Sequence, residues 1–158
     1  MRKTRGATLI VVDTKVILYL LIEGEATQAA QTAMRADPEW VAPAIWRIEC
    51  INVLSTYCRL GKLSLQQVQD AYRRACLIVH DPPRDVDPKL VLELSVGSGV
   101  SGYDCIFVGA AQLNDLPLVT FGRRLWSAFP ETAINPDGIG PWFERRSQRR
   151  QQNENHGS

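Results

Sequence analysis

Histidine is nearly absent and cysteine is sparse, with two His and four Cys in 158 residues. Cys50, Cys58, Cys76 and Cys105 form no C-x-x-C pair, and only His80 and His156 are available to join them. A zinc site is therefore not expected. Long apolar runs are also missing. The stretch from Ala7 to Ile22 is interrupted by Asp13 and Lys15 and falls short of the roughly 20 apolar residues of a membrane span. Those two charges, with no clean small-residue cleavage site behind them, also argue against a signal peptide. No glycine-rich phosphate loop follows the first apolar run, where D-T-K-V-I-L stands instead, and this disfavours a nucleotide binder. The cysteines fall in apolar helical patterns, where a free thiol acts as a small hydrophobe, so a reducing cytoplasm is the expected compartment.

Excess charge of one sign is likewise lacking, since the formal net charge is +1. The balance is uneven, however. Residues 145–158 carry four Arg and one Glu, residues 1–5 carry three bases, and residues 6–144 hold 11 basic against 16 acidic side chains. The body is mildly acidic and both ends are basic. The chain is long enough for one domain with a real core. We expect that domain over residues 1–144, with 145–158 as a basic, irregular tail.

Thr8 to Val12 reads as a strand buried on both faces. Asp13 and Thr14 follow as helix-capping types. Helices are expected over 16–22, 25–35, 43–60, 64–77, 87–96, 103–114 and 123–128. Strands are expected near 40–42, 77–80, 116–120 and 132–134. Ile45, Ile48, Ile51 and Leu54 define the expected buried stripe of the third helix, with Glu49 at its margin and Asn52 within it. Alternating strands and helices imply an α/β fold. We expect a three-layer α/β/α sandwich around a mostly parallel sheet of about five strands. In such sheets functional groups gather beyond the carboxyl ends of the strands.

Carboxylates occupy suitable places. Asp13 directly follows the first strand, Glu49 edges a buried helix face, and Asp104 opens a helix, where the dipole favours an anion. Taken together, V-V-D-T-K-V-I-L-Y-L-L, R-I-E-C-I-N-V-L, S-G-Y-D-C-I-F-V-G-A-A and L-P-L-V-T-F-G-R-R-L resemble the motifs of the PIN domain family, and most of all its VapC toxins. The resemblance covers about residues 8–130. It implies a metal-dependent ribonuclease in which Asp13, Glu49 and Asp104 take three acid positions. Asp13 and Asp104 would ligate Mg²⁺ or Mn²⁺. Thr14 and Thr120 would take supporting hydroxyl positions and Asn52 an outer one. It further implies an RNA substrate, products with a 5′-phosphate and a 3′-hydroxyl, a cognate antitoxin and a homodimer. The first two helices and Trp126 would offer partner contacts.

The sequence departs from the family pattern twice. Lys15 stands where Asn or Ser usually follows Asp-Thr, and Gly122 stands where a fourth acid usually follows Thr120-Phe121. Fewer like charges relax the remaining acids but lower their affinity for metal. Asp115 precedes the last central strand and belongs to the opposite end of the sheet, while Asp81 follows an outer strand. Arg123 and Arg124 are candidate RNA contacts, as are Arg145, Arg146, Arg149 and Arg150. Two further readings remain open: a PIN-fold module that binds RNA or an antitoxin without catalysis, and an unrelated α/β small-molecule binder.

Overall fold

Three consecutive β-branched residues form β1 (Ile10–Val12), all with no exposed surface. Such side chains are stiff and suit a pleated, covered strand. In this computed structural model, which describes residues 8–156, β1 is the centre of the sheet. The basic residues Arg2, Lys3 and Arg5 lie outside the described residues. The other strands are β2 (Trp40–Val41), β3 (Val79–His80), β4 (Leu118–Val119) and β5 (Ala133–Ile134). All pairings are parallel, in the order β3-β2-β1-β4-β5. The chain thus builds outward from β1 on one side and then crosses to the other. The order reverses between β1 and β4, and that crevice is where an open parallel sheet can receive a ligand.

The helices are α1 (Thr14–Leu21), α2 (Thr27–Ala36), α3 (Ile45–Arg59), α4 (Leu65–Ile78), α5 (Pro88–Ser98), α6 (Gly102–Asn114), α7 (Arg123–Ala128) and α8 (Ile139–His156). α1 packs with α2, α3 and α4, while α5 packs on α6 and α6 lies against β1 and β4. The result is the expected three-layer α/β/α arrangement. Local chemistry sets the boundaries. Ser64 and Gln67 form a reciprocal capping box on α4, and Asp87 caps α5 ahead of Pro88. Gly99 ends α5 at φ 72°, a backbone that only glycine adopts freely. Among the described residues, no single helix is long and apolar enough to cross a membrane.

Expectations for the helix faces and for the C-terminal segment are overturned. The buried stripe of α3 is Trp46, Cys50 and Leu54, whereas Ile48 is 70% and Ile51 50% exposed. Both sets recur at helical spacing, and the helix turns inward the one that carries Trp, the largest apolar surface available. Small Cys50 then lets Ala71 and Ala75 of α4 sit inside the same core. That rotation leaves Glu49 half-buried at the margin but puts Asn52 outside the stripe, on the exposed surface. Cys76 is also exposed rather than core, although all four cysteines are free.

The second correction concerns residues 145–156, which continue α8 instead of forming an irregular tail. Composition misled because the helix is anchored from outside its own sequence. Ile139 is buried, and the Trp142 indole donates to the Glu131 carbonyl at 3.0 Å. The Arg146 guanidinium covers the Trp142 ring at 5.3 Å and pairs with Asp115, while Arg149 reaches Glu131 at 2.8 Å. These contacts together hold the helix by about 1–2 kcal/mol. Replacing Arg146 with Ala is expected to speed amide exchange across 144–156 roughly ten-fold and to leave β1 and β4 protected. Hydrogen–deuterium exchange measures this, and equal exchange in the two proteins would return the segment to an irregular tail.

Candidate active site

The register Val12↔Val119 sets the ends of β1 and β4 side by side. Asp13 therefore leaves its strand beside Thr120, and its N–H donates to the Val119 carbonyl at 3.3 Å. The fully buried Thr120 hydroxyl accepts from the Gly122 N–H at 3.0 Å. Its single proton is thereby directed to Asp13 Oδ2. Asp13 Oδ1 accepts from the Val16 N–H at 3.0 Å, so the same carboxylate caps α1 and walls the crevice. The Thr120 carbonyl is pinned in turn by the Trp126 indole N–H at 3.1 Å. Trp126, expected to offer a partner contact, is half-buried and holds this carbonyl with its indole N–H. On the neighbouring helix pair, buried Thr14 donates its hydroxyl to Glu49 Oε2 and ties α1 to α3.

Asp104 sits in the first turn of α6, where its N–H donates to the capping Ser101 hydroxyl at 3.2 Å. Among the described residues, no protein donor holds its exposed carboxylate. Asp13, Glu49 and Asp104 all line one cleft of about 580 Å³, together with Thr14, Lys15, Asn52, Thr120, Gly122 and Arg124. The three acids converge on a common space but not into a cage. Among the described residues, no three His, Cys, Asp or Glu side chains stand close enough to hold a metal by themselves. Glu49 is drawn toward Thr14, and Asn52 reaches the cleft from the exposed surface. Arg124 lines the cleft and donates to the Gly99 carbonyl at 2.5 Å, whereas Arg123 is exposed outside it. Asp81 is bound to Arg47 at 3.1 Å and Asp115 to Arg146 at the far end of the sheet, so neither replaces the missing acid.

Sequence reasoning missed the aromatic lining of the cleft, Tyr19, Phe107 and Phe121. The signal was available: Tyr19 stands one helical turn after Lys15, and Phe121 directly follows Thr120. A second groove, of about 680 Å³, lies where α1 meets α4, between Leu21, Ile22, Leu63 and Leu77, with Glu23, Asp70, Arg73 and Arg74 around it. It contains none of the predicted site residues. Cys50 stands next to Glu49 in sequence, but burial pushes its thiol up to about 12, so it is no nucleophile at neutral pH.

Electrostatics single out Asp13. Burial raises its carboxyl from 3.8 to about 6, against the lowering pull of the Thr120 and Val16 hydrogen bonds and of Lys15, and nearby Asp104 adds to the rise. The pair of Asp13 and Asp104 suits one hard cation, which typically takes one or two carboxylates, keeps several waters and accepts a substrate phosphate. Such an ion would offset the cost of ionising a desolvated acid.

The raised value has a consequence for stability. The folded chain binds the Asp13 proton more tightly than the unfolded chain does. The resulting stabilisation is complete below 3.8 and is lost as pH rises through about 6. At 1.36 kcal/mol per unit, the loss is about 3 kcal/mol. Asp13→Asn keeps the cap and the acceptor for Thr120 without the charge. In urea titrations the variant is expected to gain on the native chain between about pH 4 and about pH 7. Millimolar Mg²⁺ should stabilise only the native chain at neutral pH. Parallel stability curves would show that Asp13 is not the strained group.

Comparison with known proteins bears on the family and the fold. The PIN domain family matches residues 10–132. No curated protein matches the chain by sequence. Among solved structures, PAE2754 from Pyrobaculum aerophilum is similar with a TM-score of 0.62 and 19% identity, covering 80% of this chain and 83% of that one. A toxin–antitoxin complex from Klebsiella pneumoniae is similar with a TM-score of 0.60 and 21% identity, covering 80% and 97%. Likeness at that identity speaks for the fold, and the family match spans most of the chain, reaching from β1 to the threshold of β5: this protein belongs to the PIN domain family.

Proposed function

We propose that this protein is a VapC-like toxin, a metal-dependent endoribonuclease whose activity is lowered by its two departures from the family pattern. PIN domains are generally nucleases. The observation that carries the reading here is the cleft shared by Asp13, Glu49 and Asp104 at the reversal of strand order. Asp13 and Asp104 would hold Mg²⁺ or Mn²⁺. The ion would lower the pKa of a bound water and screen charge on the phosphate under attack.

The remaining steps belong to the chain's own groups. Thr120 holds Oδ2 of Asp13 where that residue lines the cleft. Glu49, steadied by Thr14, is the group that would accept a proton from the attacking water. Lys15 is exposed at the rim and Arg124 lines the wall. Both would neutralise the non-bridging oxygens of the scissile phosphate. In-line attack would then give a 5′-phosphate and a 3′-hydroxyl. The four free cysteines suit a cytoplasmic setting. An antitoxin segment would find an apolar floor with a charged rim between α1 and α4. The exposed Ile48 and Ile51 on α3 would suit a second copy of the chain.

A second reading is favoured by Lys15 and Gly122: a PIN-fold module that binds RNA or an antitoxin and has lost turnover. Gly122→Asp separates the two. The position has φ −76° and ψ 105°, open to any residue. A Cβ there meets Thr120 Oγ1 at 3.3 Å and Leu125 Cδ1 at 3.4 Å, so the neighbours must yield slightly. Gly122 also caps α7 without a side-chain hydrogen bond, and an Asp would add one worth roughly 0.3 kcal/mol over Gly. The variant should therefore fold, bind Mn²⁺ more tightly by calorimetry and cleave RNA at least ten-fold faster (~1.4 kcal/mol). Neither activity nor Mn²⁺ binding in either protein would leave the binding module as the better reading.

Conversely, Asp13→Asn and Asp104→Asn should each lower cleavage of structured tRNA and rRNA loops by roughly a hundred-fold or more. A gel assay with Mn²⁺ reads this. Cleavage that persists in Asp13→Asn would point to a contaminating nuclease.

A further inference from the structure

The wall of the acid cleft is unusually aromatic for a site whose proposed chemistry uses only oxygen ligands. Tyr19 from α1 and Phe121 from the loop after β4 pack with ring centroids 5.5 Å apart and planes tilted by 46°. Both line the cleft that holds the acids. Their inner edges join the core, yet both keep exposed surface, unlike Ile17, Leu18 and Leu125 around them, which are at most 6% exposed.

Chain geometry ties the rings to the charged groups. Phe121 follows Thr120, whose hydroxyl holds Asp13. Tyr19 stands four residues beyond Lys15 on α1, so the ring and the ammonium share a helix face. Arg124, the second residue of α7, adds a second cation on the same wall. Alternation of cations with aromatic rings is the chemistry that grips a single strand: cations follow the phosphates while rings take the faces of unpaired bases. A duplex keeps its base faces stacked and cannot offer them.

We propose that Tyr19 and Phe121 form a stacking platform for one unpaired base of a single-stranded nucleic acid, next to the phosphate held by Lys15 and Arg124. The proposal rests on the nuclease reading for the identity of the ligand. It adds the group that selects single strands over duplex, by the face of a base and not by its edge.

The test uses an RNA hexamer carrying one 2-aminopurine, and the same hexamer abasic at that position. Binding is followed by anisotropy and 2-aminopurine quenching, in EDTA and separately in calcium. In either buffer the native protein should quench the probe and bind the abasic hexamer roughly ten-fold more weakly. Tyr19→Leu and Phe121→Leu should lose about the same factor and become indifferent to the abasic site. Tyr19→Phe should behave as native, because stacking needs the ring and not the hydroxyl. Lys15→Ala should weaken both hexamers alike and flatten the salt dependence.

Equal affinity of the native protein for the two hexamers would overturn the proposal without reliance on any variant. So would Leu variants, folded by circular dichroism, that still discriminate. Binding of neither hexamer would also overturn it and leave the rings to a segment of a protein partner. Discrimination without cleavage in Mn²⁺ would sink the nuclease reading and spare the platform, and cleavage without discrimination would do the reverse.

Discussion

Everything at the functional end of this molecule depends on one parallel register, Val12 opposite Val119. Strands in a parallel pair advance together, so fixing this pair fixes what emerges beyond it. On one side emerges Asp13, on the other Thr120. A slip by one residue would turn every side chain of β4 to the other face and send the Thr120 hydroxyl away from the carboxylate. The register is protected because both strands are covered on both faces, with Ile10, Val11, Val12, Leu118 and Val119 all at 0% exposure. The hydrophobic core and the polar site are therefore not separate achievements. The first is the ruler against which the second is measured.

Much of this was legible in the sequence, and the reasons differ by element. β1 was readable because T-L-I-V-V is apolar, β-branched and closed by Asp-Thr. The caps at Ser64 and Asp87 were readable because their chemistry is local. The three acids were readable as a set only through family resemblance, since each alone has an ordinary structural role. Asp13 shows why: it does cap α1, and the cap is also its site geometry. The two functions use different lobes of one carboxylate, so no choice between them was needed.

What was not legible depends on contacts distant in sequence. α3 offers two apolar stripes, and the one that carries Trp46 turns inward to share a core with the small residues of α4. Asn52 moved to the surface as a consequence. The C-terminal arginines look like a solvated tail by composition, yet Asp115 and Glu131 lie 31 and 18 residues from the arginines they receive. The aromatic wall was overlooked for a related reason. Tyr19 and Phe121 sit in patterns that read as core, and only the cleft reveals that part of each ring is uncovered.

The charge arrangement of the cleft follows a single logic. A four-acid site needs cations to exist at all, because close like charges in a partly desolvated space repel strongly. Here the fourth acid is Gly122 and a cation, Lys15, is built into the first motif. Both changes move the cleft toward neutrality. The change is nevertheless incomplete: Asp13 still sits near 6, because burial outweighs the lowering pull of its hydrogen bonds and of Lys15. A fully compensated cleft would have no reason to seek an ion. This one retains one strained carboxylate beside another, Asp104, that no protein donor among the described residues holds. Under the proposed function, that residual strain would draw a divalent ion toward the Asp13–Asp104 side and would leave the vacated side, between Gly122 and Lys15, for phosphate and base.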